Sequence, residues 1–363
     1  MSNPQGIKGE RMGYGIVTPP LNSVLPNLTI AALLSVVITI FVTPIFNRFF
    51  VAIGVAGTDI MKRERLPVAD MGGPGVIVGF LSGVFAYIAF AIFMRQEIDE
   101  LINILASIST ILIISLIGLF DVLTSLLKQR EGQGIFERMK RRGIPGWVYF
   151  FIPLPAAVPL AAVKAGVSSM ALPFFGKIEL GNLYPLVLIP LAVLCCSNAT
   201  NFLAGFNGLE AGMGLVLHAS LGIYALYRDR TAAALIAFTF AAALLAFLRY
   251  NWYPAKVFPG DLNYTIGAAC VCVTVIGNME RFAILCFTPW VIEAFLKASS
   301  RFQAESFGVL QEDGTVKPSG EGNYSLTHLA MRLGDFNELQ ISSILIGFEV
   351  IICILSFMFV QYT

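Results

Sequence analysis

Long apolar runs dominate the chain, and short polar segments separate them. An uncharged run of about 20 residues forms a helix long enough to cross a hydrocarbon core of about 30 Å. On this criterion we predict about ten membrane-spanning helices. They lie near residues 26–48, 73–94, 101–120, 144–163, 182–201, 210–227, 231–248, 262–279, 281–297 and 340–361. The predicted fold is an all-α integral membrane protein, organised as a single polytopic transmembrane domain over residues 1–363.

Two of the predicted spans are irregular. The ninth is short, because Arg281 and Glu293 flank a brief uncharged stretch. The fourth should be kinked or begin late, because proline interrupts helical hydrogen bonding. It contains Pro145, Pro153, Pro155 and Pro159.

The basic residues of the loops indicate the orientation. The loops that follow the odd-numbered spans carry twice as many of the 24 Lys and Arg residues as the other side. Because cytoplasmic loops are enriched in Lys and Arg, we assign this face to the cytoplasm and both termini to the outside. Its longest loop, residues 298–339 between the last two spans, is predicted to form a small subdomain with a hairpin around Glu312-Asp313-Gly314.

Composition agrees with a membrane protein. Hydrophobic residues make up 56% of the 363 residues and charged residues 13%, against about 25% charged residues in an average soluble domain. The net charge of +1 gives no basic footprint for nucleic acid. The six cysteines lie in apolar runs and show neither zinc-ligand spacing nor a disulfide framework.

Glycines mark the second predicted span. Gly75, Gly79 and Gly83 recur every fourth residue, the pattern that lets membrane helices approach closely. The preceding Met71-Gly72-Gly73-Pro74 enters the helix, and its backbone N–H groups could meet a phosphate.

Residues 198–212 form an unusually polar segment between two apolar runs. Buried amides are costly in a membrane unless they are paired. Asn198 and Asn201 share a helix face, and Asn207-Gly208 suits a tight turn. The segment has two interpretations. Its polar side chains either connect packed helices next to a turn or, as we favour, form a metal- or phosphate-binding edge at the membrane surface.

Two acids lie at the same predicted edge. Asp121 ends the third span, and Asp261 begins the eighth. Either could be a simple helix cap or part of a cation site. Together with Asn201 and Asn207 they fall on cytoplasmic ends of predicted spans, which favours a shared site there.

Two signatures give the chain a specific resemblance. Residues 198–212, Asn-Ala-Thr-Asn-Phe-Leu-Ala-Gly-Phe-Asn-Gly-Leu-Glu-Ala-Gly, closely resemble the asparagine-rich signature of the eukaryotic and archaeal UDP-GlcNAc:dolichyl-phosphate GlcNAc-1-phosphotransferases. Residues 251–261, Asn-Trp-Tyr-Pro-Ala-Lys-Val-Phe-Pro-Gly-Asp, look like the second signature of the same family. Bacterial members of this polyprenyl-phosphate N-acetylhexosamine-1-phosphate transferase superfamily have Asp-Gly-x-Asp-Gly where this chain has Ala204-Gly-Phe-Asn-Gly208.

The resemblance implies a Mg²⁺-dependent enzyme, with Mn²⁺ as an alternative, that moves N-acetylhexosamine-1-phosphate from a UDP-sugar to dolichyl or polyprenyl phosphate. This would be the first membrane step of lipid-linked oligosaccharide synthesis for N-glycosylation. By position it implies metal ligands Asn201 and Asp261, catalytic residues Asp121, Asp261 and Lys128, and substrate-binding residues Asn198, Asn207, Gly208, Glu210 and Arg301.

The chain departs from the family pattern in three places. It has a single acid, Asp121, where the family usually has two in succession. The family's basic lysine is not uniquely placed, since Lys128, Lys140 or a neighbouring arginine could serve. Arg301-Phe302-Gln303 stands where eukaryotic members carry Arg-His-Arg, which leaves the sugar open.

The expected partners are a UDP-N-acetylhexosamine, the polyprenyl phosphate, membrane lipids and, by resemblance, a second copy in a homodimer. We expect a plasma-membrane protein if the source is prokaryotic and an endoplasmic-reticulum protein if it is eukaryotic. Two alternatives remain. One is a transporter or flippase for a lipid-linked or nucleotide sugar, which would place polar residues near the bilayer midplane. The other is a bacterial-type enzyme that uses undecaprenyl phosphate.

Overall fold

The computed structural model describes residues 21–62, 67–94, 98, 100–131, 150–167, 169–172, 176–260 and 262–362. Side chains are described for these residues except 21–23, 67, 121–131, 169–172, 176–177 and 362. The described chain is mostly helical, as the sequence predicts.

Helices and short hairpins alternate along the chain. In order they are α1 (Leu21–Ile53), β1 (Ala56–Thr58), β2 (Pro67–Ala69), α2 (Gly73–Phe93), α3 (Leu101–Glu131), a 3₁₀ turn (Leu154–Ala157), α4 (Val158–Ala162), β3 (Ser169–Leu172), β4 (Gly176–Glu179), a π-helical turn (Tyr184–Leu188), α5 (Ile189–Phe202), α6 (Leu209–Tyr227), α7 (Thr231–Asn251), α8 (Leu262–Gly277), α9 (Glu280–Cys286), α10 (Thr288–Ser299), β5 (Gly308–Leu310), β6 (Val316–Pro318), α11 (Leu326–Arg332) and α12 (Glu338–Tyr362). The strands pair as three antiparallel hairpins, β1–β2, β3–β4 and β5–β6.

The architecture is that of a multi-pass membrane protein. Within the described ranges, 7 helices are long and apolar enough to cross a bilayer, or 8 if the bent α9–α10 pair forms one span. The predicted count of ten is not confirmed. The eighth predicted span, α8, has 16 residues and falls short of a full crossing. In the fourth, the described part of 144–163 holds only the 3₁₀ turn and α4, as its prolines would cause.

The ninth predicted span is broken in the middle. Helices α9 and α10 meet at a bend of 57°. Pro289 lies in the first turn of α10 and has no N–H to donate to the carbonyl of Leu285 four residues earlier. The Thr288 hydroxyl donates to that carbonyl instead, at 2.6 Å, so the bend leaves it satisfied.

Helices α1 and α2 pack closely through small residues. A Cβ atom added at Gly75 would lie 2.6 Å from the Thr43 hydroxyl, and one added at Gly79 would lie 1.8 Å from the Thr39 hydroxyl. At Gly83 a Cβ would lie 2.5 Å from the carbonyl oxygen of Ala31. These contacts confirm the packing role predicted for the three glycines.

The helices differ in burial, and this shows which lie at the centre of the bundle and which at its periphery. In the apolar stretch of helix α7, 78% of the residues are buried. This helix packs against α1, α2, α3, α6 and α8. In the apolar stretch of helix α12, 22% of the residues are buried. Large apolar side chains such as Phe41 on α1 and Ile351 on α12 are exposed. Because an apolar surface of this extent is stable only in a nonpolar solvent, these outer faces are suited to lipid.

The predicted hairpin between the last two spans is present. Strands β5 and β6 pair across Gly314, which has a positive φ of 89°. The Asp313 carboxylate accepts from the backbone N–H of Thr315 at 2.9 Å and from its hydroxyl at 2.7 Å. Helix α11 follows, and the Glu293 carboxylate of α10 accepts the Leu326 N–H at its start, at 2.7 Å. The hairpin region is therefore attached to the bent span.

Candidate functional site

Four loops at one end of the helix bundle line a single cavity of about 730 Å³. They connect α1 to α2, α5 to α6, α7 to α8 and α10 to β5. The sequence prediction placed all four on one face of the membrane. Their convergence confirms the shared face, while its assignment to the cytoplasm stays a prediction.

Backbone pairing joins two of these loops. The Phe258 N–H donates to the Ala69 carbonyl at 2.7 Å, and the Gly72 N–H donates to the Phe258 carbonyl at 2.8 Å. The Gly73 N–H donates to the Pro259 carbonyl at 3.2 Å. The expectation that the N–H groups of this Gly-Gly segment meet a phosphate is therefore wrong, because carbonyl groups already occupy them.

Asn207 connects three parts of the cavity wall. Its backbone N–H donates to the Glu338 carboxylate at 2.7 Å. Its Nδ2 donates to the same carboxylate and to Asp59 Oδ2, the latter at 3.1 Å. Its Oδ1 accepts from the Ala255 N–H at 2.7 Å and from Lys62 Nζ at 3.4 Å. Asn207 is thus a positioning residue, and its carboxylate partners were absent from the sequence prediction.

The turn after Asn207 requires glycine. Gly208 has a φ of 77°, and a Cβ atom there would lie 2.7 Å from the Trp252 ring. Helix α6 begins immediately afterwards, and the Glu210 carboxylate in its first turn accepts the Gly205 N–H at 2.6 Å. The other oxygen, Glu210 Oε2, is buried without a hydrogen-bond partner among the described groups. Glu210 therefore has an oxygen left for a cation or a donor group at the cavity wall.

The two asparagines at the end of α5 have different surroundings. Asn201 lines the cavity, and its Nδ2 donates to the Tyr264 hydroxyl at 3.0 Å. Asn198 is buried away from the lining, where its Nδ2 donates to the carbonyls of Phe150 at 2.9 Å and Leu194 at 2.8 Å. The structure thus brings Asn201, Asn207 and Glu210 together, and it places Asn198 in a helix-packing contact.

Acidic groups outnumber basic ones around the cavity. The lining contains the carboxylates of Asp59, Asp70, Glu210 and Glu305. Among the described lining residues, Lys297 is the one basic side chain. Burial raises the pKa of Asp70 above its ordinary value, because removal from water disfavours the charged carboxylate. Such a wall would repel an anionic substrate unless a cation also binds there.

The loop after α10 places Lys297, and not Arg301, at the cavity. Arg301 and Phe302 both have positive φ, 57° and 59°, and the Arg301 side chain is exposed outside the lining. Phe302 and Lys297 line the cavity. The sequence prediction missed Lys297 because it took this lysine as the charged end of a span. The available signal was Glu293 four residues earlier on the same helix face.

Three predicted residues lie outside the described part of the site. Asp121 and Lys128 fall within the backbone of α3, but their side chains are not among those described. Asp261 is itself outside the described residues, and it directly follows the cavity-lining Gly260.

An apolar groove of about 510 Å³ lies along two of the helices that line the polar cavity. Its walls come from the π turn, α5, α8, α9 and α10, and they carry mostly aliphatic and aromatic side chains. Ala199 on α5 and Ala298 on α10 line the groove, while Asn201 and Lys297 on the same helices line the cavity. The ends of α5 and α10 therefore contribute residues to both spaces.

Oxygen donors at the cavity wall suit a magnesium ion. Within the described residues, no three His, Cys, Asp or Glu side chains form a ready metal cluster. Mg²⁺ needs none, since it usually takes one or two carboxylates with substrate phosphates and water. The unpartnered Glu210 Oε2, the Asn201 amide and the Asp70 carboxylate line the same cavity and supply ligand chemistry of this kind.

Comparisons with known proteins identify the family of the chain. The glycosyl transferase family 4 model matches residues 104–278, which include α5 to α8. A Sulfolobus acidocaldarius protein with the provisional name UDP-N-acetylglucosamine–dolichyl-phosphate N-acetylglucosaminephosphotransferase is 32% identical over 91% of this chain and 97% of its own length. A Schizosaccharomyces pombe protein has the same name without the provisional mark. It is 26% identical over 70% of this chain and 62% of its own length.

A more distant enzyme group also matches. A Streptococcus pyogenes phospho-N-acetylmuramoyl-pentapeptide-transferase is 25% identical over 81% of this chain and 83% of its own length. The similarity to the archaeal relative extends over nearly the whole length of both chains. The chain belongs to glycosyl transferase family 4, as a membrane-embedded member related to the sugar-phosphate transferases.

Proposed function

We propose that the protein transfers N-acetylglucosamine-1-phosphate, or a related N-acetylhexosamine-1-phosphate, from a UDP-sugar to dolichyl or another polyprenyl phosphate and releases UMP. The observation that carries the proposal is that the ends of α5 and α10 contribute residues both to a polar cavity and to an apolar groove. A reaction between a water-soluble nucleotide sugar and a membrane lipid needs one space of each kind.

The donor would bind in the polar cavity. Its wall offers carboxylates and amides for hydroxyl groups, the ammonium of Lys297 for phosphate, and aromatic faces such as Phe258 for a base. A volume of about 730 Å³ lies within the usual range for small-molecule sites, which is roughly 300–1,000 Å³.

The acceptor chain would lie in the apolar groove. Because the chain comes from the nonpolar bilayer, it would be held in the groove by van der Waals packing and not by transfer out of water. Its phosphate would then lie near Asn201. The lipid enters sideways from the bilayer and the nucleotide from water.

The reaction joins two anions. An oxygen of the lipid phosphate forms a bond to the β-phosphorus of the UDP-sugar, and the bond from that phosphorus to the bridging oxygen breaks. UMP leaves with the bridging oxygen, and the products are UMP and a polyprenyl diphosphate sugar. Because a phosphate monoester has a second pKa of about 6, the nucleophile is already ionised at neutral pH. The remaining barrier is charge crowding, which positive groups lower.

Magnesium would supply part of that positive charge. Asn201 would hold it through its amide oxygen together with Asp261, by the family resemblance. Asp121 would position the lipid phosphate, and Lys128 would contribute a cation near it. We place this site at the cytoplasmic face, in the plasma membrane of a prokaryote or the endoplasmic reticulum of a eukaryote. A homodimer is part of the same proposal.

A transporter fits the arrangement less well. It would need a polar path near the bilayer midplane. Glu349 is buried halfway along α12, where its carboxylate accepts from the Cys353 thiol at 3.2 Å, and it lines neither the polar cavity nor the groove. Polar groups that face the larger cavity lie at one end of the bundle.

The test is UMP release by purified protein with UDP-GlcNAc, Mg²⁺ and dolichyl phosphate. We expect release that requires the lipid phosphate and that falls at least a hundredfold in Asp261→Ala, with the melting temperature preserved. Uptake of intact UDP-GlcNAc into proteoliposomes without UMP formation would instead support the transporter.

A further inference from the structure

Lys297 is a buried ammonium group in the wall of the polar cavity. Only 5% of the residue is exposed, and it lines the cavity near the end of α10. Its neighbours Phe295 and Ala298 line the apolar groove. Helix α10 thus presents a charged side chain to the cavity and apolar side chains to the groove.

A local network holds this ammonium in place. Lys297 Nζ donates to the Ala304 carbonyl at 2.8 Å and lies 3.8 Å from Glu293 Oε1. Glu293 is fully buried and accepts the Leu326 N–H at 2.7 Å. The Ser306 hydroxyl donates to the Phe202 carbonyl at 2.8 Å and lies 3.5 Å from Glu293 Oε1. The hairpin region, α5 and α10 therefore fix the position of Lys297 together.

The protein contacts leave part of the ammonium unused. A lysine has three N–H donors; one donates to the Ala304 carbonyl at 2.8 Å, and the Glu293 carboxylate lies at ion-pair distance, 3.8 Å. A buried charge is costly unless it is well paired. At 3.8 Å the contact with Glu293 is long, so a stronger anionic partner in the cavity would complete the site.

The charge of the surrounding wall makes this position selective. Lys297 is the one basic group among the described lining residues, and it faces a cavity with four carboxylates in its lining. The Lys62 ammonium is already paired with Asp59 and Asn207, so Lys297 is the basic group of the described lining that an entering anion meets.

We propose that Lys297 binds a phosphate group of the substrates directly and that Glu293 positions it. The inference rests on the proposed function for the identity of the phosphate, which belongs either to the nucleotide donor or to the lipid acceptor. Its physical basis, a fixed ammonium on an acidic cavity wall, does not depend on turnover.

The experiment measures binding without catalysis. Wild type, Lys297→Met and Lys297→Gln are purified in detergent, and dissociation constants are measured calorimetrically for UDP, uridine, a short-chain polyprenyl phosphate and the corresponding polyprenol. The control is Lys317→Met, which removes another lysine that pairs with a carboxylate, Asp335, in the hairpin region. Melting temperatures establish that each variant is folded, and Lys297→Gln keeps a donor for the Ala304 carbonyl.

A hydrogen bond to a charged group contributes about 1.5–3 kcal/mol, which corresponds to a roughly ten- to hundredfold change in affinity. We expect that loss for UDP but not uridine if the phosphate is the donor's, and for polyprenyl phosphate but not polyprenol if it is the acceptor's. Glu293→Gln should weaken the same ligand by a smaller factor. Unchanged binding of both phosphate ligands in folded Lys297→Met and Lys297→Gln would overturn the proposal. Phosphate binding that depends on Lys297, in a wild type that releases no UMP, would refute the proposed function alone.

Discussion

Replacing Asn207 by aspartate should disrupt the cavity wall through two carboxylates. The Asn207 Nδ2 donates to Asp59 and to Glu338, and a carboxylate at this position can donate to neither. Each hydrogen bond to a charged acceptor contributes about 1.5–3 kcal/mol. Loss of both, with added repulsion among three buried acids, should lower the unfolding free energy by about 4 kcal/mol even if one acid becomes protonated. In a chain of this size that corresponds to a fall in melting temperature on the order of 8 °C.

The assay is thermal unfolding in detergent, and a double mutant tests the mechanism. In Asn207→Asp/Glu338→Gln the new amide at 338 can donate to the new carboxylate, so at least about 1.5 kcal/mol of the loss should be recovered. Asn337→Asp is the matched control, since exposed Asn337 keeps its Oδ1 acceptor for the Gln340 N–H at 3.0 Å. A wild-type melting temperature for Asn207→Asp, or strictly additive effects in the double mutant, would refute the role assigned to Asn207.

Three further predictions concern the helix packing, the groove and the cavity. Gly79→Ala should lower stability by about 1–3 kcal/mol, because its Cβ would lie 1.8 Å from the Thr39 hydroxyl, whereas Gly347→Ala, with open space within 4 Å, should leave the melting temperature unchanged or higher. Ala192→Trp should fill the groove and raise the KM for polyprenyl phosphate at least tenfold with little change in the KM for UDP-GlcNAc, and Leu191→Trp on the outer face of the same helix should change neither. Burial raises the folded-state pKa of Asp70 above the value of 3.8, so its stabilising contribution is complete below pH 3.8 and is lost as pH rises through the folded-state pKa. In metal-free buffer, Asp70→Asn should therefore melt above wild type at pH 7, and the difference should shrink towards pH 3.8; a difference that grows on acidification would contradict this sign.

The sequence supported the helices and the shared face because hydropathy and loop charge are local signals. Most predicted spans match a described helix within a few residues, and the Gly75, Gly79 and Gly83 pattern identified a real close contact. The breaks were harder to place. Proline indicated an irregular fourth span, but the sharp bend at Pro289 depends on how α9 and α10 pack against their neighbours.

The cavity was only partly predictable. Asn201, Asn207 and Glu210 were found because they share one polar segment between apolar runs. Asp59 and Asp70 come from an ordinary-looking loop, and only tertiary packing brings them to the cavity wall and Glu338 into contact with Asn207. The role of Lys297 was also not predictable from the sequence, since a lysine at the end of a span has the same sequence pattern whether it faces lipid headgroups or a substrate.

The most direct test of the central claim is mass spectrometry of both products after incubation with UDP-GlcNAc and polyprenyl phosphate. We expect UMP and a lipid bearing GlcNAc through a diphosphate, in equal amounts, because the bond from the β-phosphorus to the bridging oxygen of UDP is the one that breaks. Formation of UDP with a lipid bearing GlcNAc through a single phosphate would contradict it, since the sugar alone would then have been transferred.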